Sequence, residues 1–598
     1  MVDRNLRPRT LLRRGVPTPT AIAIAIAIAV TGLLQVASVA SSQELEGHHG
    51  IFSETIDVTL VNLEVMAFDA SGKAVTDLTR DELLVFEDGE PVEINYFTAA
   101  QPATAETFEV DAFLEPSEPP ADADPVGPAE RKHAIILIDN DHLSAAGRNT
   151  LLRRMRDELR RFMDDDTWVM VVEKSGSVSI ECHFTNDRSL VDSVLTRLEE
   201  GAPSGGMTIA EERRLRLAIE TASLDPEFAA AEASLLLSNI HLFARSLAQR
   251  VHHTWEVLNY LVDSLSGVPG RKALFYVAVS PPVSPGKLLF RQWWGKYGRL
   301  FGERVEMISP EDTAQEYDTS EGMLGVIANA AASRVAFYPV DTGQDVGSRA
   351  VSAAYTSVDA TERILSSGGA DEVAMGLLAQ ATGGRSARDT VFLDELLTQA
   401  KVDLETFYTL GFVSRFRGDG KVHKVKVKTT RPGVKLRYFN RYRSKTDDQQ
   451  LTDRTLAALL LDEASNPLEV RIDLGDPVPV ESGKKRDRKK APKSYVVPVV
   501  VRLPTANLSL MPEEAAHVGS LSLLLVLRDS AGVPAPPIKI EIPVKIPHQK
   551  LASAMNQLVG YKTKIEMRSG EQKIAIAVRD DVSRIVSTLN LNVDLGDT

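Results

Sequence analysis

The sequence predicts an α/β protein: a doubly wound, mostly parallel sheet flanked by an N-terminal β module and a C-terminal β-sandwich. Three observations lead there. Between residues 131 and 443, apolar strand-like runs alternate with stretches carrying apolar residues at helical spacing, the pattern of βαβ units. A proline-rich acidic stretch sets this region apart from a short β-rich segment before it. After residue 455 the texture changes again, to alternating or apolar runs between Gly, Pro and Asp turns. The 598 residues exceed what one core serves, and 43% hydrophobic with 25% charged residues is the composition of a globular chain.

The first 40 residues read as a signal peptide. Arg4, Arg7, Arg9, Arg13 and Arg14 precede an apolar run from Ala21 to Val39, which closes on Ser38-Val39-Ala40. The mature chain is therefore expected to be exported, whether periplasmic, on the cell surface or secreted. A membrane contact would come only through an uncleaved signal anchor, because the apolar run is nearly long enough to span a bilayer. Residues 51–100 form the β-rich module, with a strand from Thr55 to Phe68, a turn at Asp69–Gly72 and a strand over Leu83–Glu87 ending in Asp88-Gly89. Residues 101–130 hold six prolines and eight carboxylates without Lys or Arg, the composition of an extended linker.

The α/β region, 131–443, contributes strands at His133–Asp139, Trp168–Glu173, Val178–Phe184, Lys272–Val279 and Arg334–Val340. Leu151, Leu152, Met155, Leu159, Phe162 and Met163 share one face of a first helix, for which Ser144 is the expected N-cap. Further helices cover Arg188–Leu198, Phe228–Leu265, Gly322–Ala332 and Glu372–Ala381, with a helical insertion spanning about 205–265. Residues 455–598 carry the sandwich strands Leu468–Leu474, Tyr495–Leu503, Leu521–Leu527, Ile538–Ile546, Lys573–Val578 and Thr588–Val593. The net charge of −14 argues against nucleic acid as a partner, and the basic run Lys484–Lys490 reads as a solvated loop. The single cysteine, Cys182, allows no internal disulfide.

Ile135-Ile-Leu-Ile138 runs directly into Asp139-Asn140-Asp141, placing two carboxylates at the end of a buried strand, where open α/β sheets bind ligands. One reading is a Mg²⁺-dependent phosphatase. The order of Asp139, a later strand ending at Ser280 and a third ending at Asp341 with Asp345 resembles the haloacid-dehalogenase type, with Asp139 as nucleophile. Against it, the helix begins at once after Ser144 and leaves no room for a flap, and no lysine stands out between the second and third strands. Thr382-Gly-Gly-Arg385 lacks the spacing of a phosphate loop and reads as a tight helix-to-strand turn. Trp293 and Trp294, flanked by Arg291 and Lys296, suit a partner-contact loop.

The chain also resembles the von Willebrand factor A family, in its branch of secreted bacterial VWFA-related proteins. The resemblance is spread over Val85–Gly89, Ile138-Asp-Asn140, Gly147-Arg-Asn149, Phe184–Ser189, Gly270–Leu274, Tyr338–Asp341, Ala381–Arg385, Tyr408–Gly411 and Arg431-Pro-Gly433. It implies a von Willebrand A-like, Rossmann-type sheet whose top holds Mg²⁺ through an Asp-x-Ser-x-Ser motif, a later Thr and a later Asp. A partner carboxylate completes that metal shell. Carried over, the motif is degenerate: Asp139 keeps its place, Asp141 and Leu143 replace the serines, Ser144 falls one place late, Thr208 supplies the threonine and no Asp stands near Val279. The expected candidate metal ligands are thus Asp139, Asp141 and Thr208, at most for weak Mg²⁺ or Ca²⁺ and with no resident cofactor. Ser144, Trp293 and Trp294 would meet a protein or peptide ligand. The implied function is non-enzymatic adhesion or scaffolding.

Overall fold

The computed structural model describes residues 60–596 except 101–130, 202, 204, 226–227, 269, 302–308, 343–373, 389–391, 417, 462–463, 481–493 and 530–534. The expected signal peptide, the acidic linker, the basic run and Asp345 lie outside the described residues. No helix among the described residues is long and apolar enough to cross a membrane.

The chain opens with four strands, β1 (Leu60–Phe68), β2 (Leu83–Glu87), β3 (Glu90–Val92) and β4 (Ile94–Thr98). Asp88 and Gly89, both at positive φ, make the two-residue turn between β2 and β3. The central region follows with β5 (Lys132–Asp139), α1 (Ala145–Phe162), β6 (Thr167–Ser175), β7 (Ser177–Thr185), α2 (Arg188–Glu200), α3 (Gly205–Thr221) and the 36-residue α4 (Ala229–Ser264). Then come β8 (Lys272–Ala278), α5 (Lys287–Phe301), α6 (Pro310–Gln315), α7 (Ser320–Ala332), β9 (Val335–Phe337), β10 (Val340–Asp341), α8 (Ala374–Ala381), β11 (Ala387–Arg388) and α9 (Leu393–Glu405). The central sheet has the order β11-β10-β8-β5-β6-β7, with β9 also on β8. Every described pair in it is parallel except β6–β7, a hairpin turned at Gly176.

Strand β5 is buried on both sides, so its side chains alternate between two cores. Ile135 and Leu137 join the residues of α3, α4, α5 and α7, whereas Ala134, Ile136 and Ile138 meet those of α1, α2 and α9. At about 25 cal/mol per Å² of apolar surface, such aliphatic burial is the main favourable term in folding this region.

The strands that follow change one boundary drawn from the sequence. β12 (Tyr408–Val413), β13 (Val422–Thr429), β14 (Lys435–Arg437) and β15 (Arg441–Arg443) do not extend the central sheet. They complete the N-terminal module, in sheets ordered β14-β1-β12-β4 and β15-β13-β2-β3 over one shared core. The α/β region is thus inserted into the β module and does not run to 443. The alternating burial of β13 is that of a half-buried antiparallel strand, which pairs with β2 and β15, while β12 lies between β1 and β4.

Helix α10 (Asp447–Leu461) leads into the C-terminal strands. One sheet holds β16 (Arg471–Leu474), β17 (Val478–Pro479), β18 (Ser494–Pro504) and β22 (Leu558–Arg568). The other holds β19 (Met511–Pro512), β20 (Ala516–Asp529), β21 (Ile538–Pro547), β23 (Gly570–Asp580) and β24 (Val586–Leu595), and both face a common apolar core.

Candidate functional site

The chain passes from β5 to β6 on one side and reaches β8 on the other, so the strand order reverses beside Asp139, where such sheets form their crevice. Asp139 is fully buried. Its Oδ1 accepts from the Lys174 ammonium at 3.1 Å and from the Asp141 backbone N–H at 3.1 Å. Its Oδ2 accepts from the Tyr276 hydroxyl at 2.8 Å and from Nδ1 of His142 at 3.0 Å. A carboxylate only accepts, so His142 Nδ1 carries a hydrogen here. Burial pushes the Asp139 carboxyl up, but His142, Lys174 and Tyr276 together outweigh it and hold the group well below the usual carboxylate range. Burial, with Asp139 beside it, drives the Tyr276 phenol well above its ordinary value.

Lys174 is the residue that sequence reasoning missed. It lies opposite Asp139 in the β5–β6 register, and its ammonium also reaches Asp141 at 2.6 Å. The Gly176 N–H donates to Asp141 as well, at 2.9 Å. The two carboxylates thus share one ammonium that is 1% exposed. The sequence marks only a charged strand end, since the buried run Val169-Met-Val-Val172 closes on Glu173-Lys174, and which strand lies beside it is set by the sheet.

Behind the pair, the residues of the Gly147-Arg-Asn149 motif tie the elements together. Arg148 is fully buried, donating from Nη1 to Asn140 Oδ1 at 3.2 Å and from Nη2 to the carbonyls of Glu199 and Gly201. Asn140 bonds Glu173 in turn. The first residue of α3 is pinned too, Gly205 N–H donating to Asn140 O at 3.2 Å. A Cβ on Gly205 would lie 2.5 Å from the backbone of His142 and Leu143, so only glycine permits this approach.

The other sequence candidates fall elsewhere. Ser144 is the N-cap of α1, accepting from Gly147 N–H. Thr208 lies in the first turn of α3 and is not a partner of Asp139. Leu143 is a core residue. Trp293 corrects the expectation of a contact loop: it sits on α5, fully buried, with its indole N–H donating to Ala233 O at 2.8 Å. Apolar residues at helical spacing bury that face of α5 against α4, which decides the matter against the neighbouring Arg291 and Lys296. Trp294 is half-buried against the same core. Ser280 follows β8, its Oγ buried and without a partner, and Asp341 ends β10. The Thr382–Arg385 turn is a helix C-cap, with Gly383 at φ +73° and Gly384 N–H donating to Ala379 O at 2.8 Å. Among the described residues, no three His, Cys, Asp or Glu side chains gather as a metal cage.

Fold and site together define a mixed α/β protein whose central, mostly parallel sheet ends in a charged crevice where two carboxylates share one buried ammonium. No family model and no curated protein matches the sequence. Among solved structures, the chain is similar to a von Willebrand factor type A protein from Catenulispora acidiphila at 9% identity, covering 78% of this chain and 67% of that one, with a TM-score of 0.21. An aerotolerance-related membrane protein from Bacteroides fragilis NCTC 9343 is 10% identical, over 45% of this chain and 98% of that one, with a TM-score of 0.20. The conserved hypothetical protein BatB from Bacteroides thetaiotaomicron is 12% identical, over 35% and 66%, with a TM-score of 0.14. Likenesses at these scores carry no weight for fold or function.

Proposed function

We propose that this chain is an exported, non-enzymatic binding or scaffold protein. Its doubly wound, von Willebrand A-like domain presents the carboxyl end of the sheet to a protein or peptide ligand. The observation that carries this reading is the ammonium of Lys174 between Asp139 and Asp141. A metal ion at such a site needs those oxygens, and Mg²⁺ demands near-octahedral oxygen geometry. In this reading the site is a degenerate metal-dependent adhesion site in which an internal cation takes the place of the ion. A nucleophilic Asp139 is disfavoured on the same ground, since both its oxygens are engaged and the group is sealed from water.

A phosphatase of haloacid-dehalogenase type stays as the second reading because Ser280 keeps a buried, unpartnered hydroxyl at the next strand end. Two measurements separate the readings. Hydrolysis of an aryl phosphate with Mg²⁺ is expected to be absent, and turnover that disappears in Asp139→Asn would overturn the proposal. Thermal melting with millimolar Mg²⁺ or Ca²⁺ is expected to leave the wild type unshifted and to raise the midpoint of Lys174→Ser, because an ion that binds only the native state adds RT ln(1 + [L]/Kd). A Lys174→Ser variant indifferent to both ions would sink the idea that the ammonium replaces a metal.

A further inference from the structure

In the C-terminal domain, far in sequence from the crevice, two imidazoles face each other across neighbouring strands. His517 lies near the start of β20, paired in register with Ile546 of β21, and His548 follows β21 directly. The two side chains are therefore diagonal neighbours on one face of the sheet. Their Nδ1 atoms are 3.1 Å apart, and the rings meet edge to face with centroids 4.8 Å apart. His548 Nε2 lies 2.8 Å from the carbonyl oxygen of Glu513. A carbonyl only accepts, so His548 carries its hydrogen on Nε2 in the neutral ring, and its Nδ1 lone pair points toward His517. His517 completes the pair by donating from Nδ1.

We propose that His517 and His548 form an open binding site for a borderline first-row divalent cation of the Zn²⁺, Ni²⁺ or Cu²⁺ class, held through both Nδ1 atoms. Metal–imidazole bonds of about 2.0–2.1 Å at tetrahedral angles put two ligand nitrogens roughly 3.3–3.4 Å apart, a few tenths of an ångström beyond the 3.1 Å present here. The Glu513 carbonyl performs the task that orienting groups perform around metal-bound histidines: it fixes the ring and its tautomer through the other nitrogen. For the cation to enter, His517 moves its hydrogen from Nδ1 to Nε2 and the two rings turn so that both Nδ1 lone pairs converge beside the line that now joins them. His548 is exposed and His517 half-buried, so the approach is open and water fills the remaining coordination positions. Imidazole suits these metals, whereas Mg²⁺ and Ca²⁺ prefer oxygen, so the site is distinct in kind from the one the crevice resembles.

The test is calorimetric titration of the full chain with ZnCl₂ and NiCl₂ at pH 7.5. His48→Ala/His49→Ala serves as the background, so that the adjacent histidine pair that follows the expected signal peptide does not contribute. One equivalent is expected to bind, with affinity reduced more than roughly tenfold in both His517→Ala and His548→Ala. His252→Ala, on the surface of α4, is expected to bind as the background does. Both site variants replace residues outside the apolar core, and a circular-dichroism melt without metal checks that they fold. The proposal fails if the background protein binds neither metal at millimolar concentration, or if either single variant keeps its affinity.

Discussion

Two carboxylates one residue apart, drawn out of water at the end of β5, repel each other unless a cation lies between them. Here the cation is Lys174, and the cost of removing one member of so buried a set is about 3–5 kcal/mol. The pH dependence follows from Asp139. Its folded-state pKa is depressed below the unfolded value of about 3.9. Its contribution is therefore complete above that value and is lost as pH falls through it toward the folded pKa. Asp139→Asn is expected to destabilise the protein by several kcal/mol at pH 7. The gap to the wild type should narrow steadily as pH drops below about 4, when urea unfolding is followed across the range. A gap that stays constant to pH 2 would mean that Asp139 is not held as a carboxylate. From sequence, Asp139 was legible as a strand end and its partner was not. Contact with Lys174 depends on β6 lying beside β5 in a particular register, and nothing in either run of apolar residues specifies that neighbour.

Elements whose information is local were read well. Helix α1 begins where Ser144 predicted it, and its apolar face is the buried one. Helix α5 shows where local reading fails. Trp293 was judged by its charged neighbours, yet a residue's face on a helix is set by residues three and four places away. Leu289, Phe290, Trp293 and Tyr297 form the buried stripe, while Arg291 is exposed and Lys296 reaches over the end of α3 to the carbonyls of Ile219, Glu220 and Ala222. Counted at helical spacing, the sequence contained this answer. Trp293→Ala is accordingly expected to cost about 3–5 kcal/mol in chemical denaturation, the range for emptying a packed aromatic site. Trp294→Ala, whose ring is only half-buried, should cost clearly less. Equal small effects would return Trp293 to the surface role that its neighbours suggested.

At the scale of the molecule, the insertion of the α/β region between β4 and β12 makes the N-terminal module depend on chain ends some 300 residues apart, which no local pattern reveals. The junction is chemically explicit. Glu64 of β1, 1% exposed, accepts from Arg271 Nη1 at 3.1 Å and from Arg334 Nε at 2.6 Å. Arg271 is itself buried and donates to Gly383 O at 3.2 Å, so one carboxylate joins the β module to the start of β8, the start of β9 and the α8 cap. Module and insert then share their stability, because unfolding either one strands a buried guanidinium or carboxylate of the other. Glu64→Gln keeps the shape and removes the charge. It is expected to lower the midpoint of a transition shared by module and insert, with a loss of about 3–5 kcal/mol. Scanning calorimetry combined with near-ultraviolet circular dichroism would follow this, since Trp168, Trp255, Trp293 and Trp294 all report on the insert. If the variant instead melted in two steps, with the tryptophan signal unchanged and only a β-rich transition moved down, the module would be folding on its own. Glu64 would then be a local contact and not the junction on which both bodies depend.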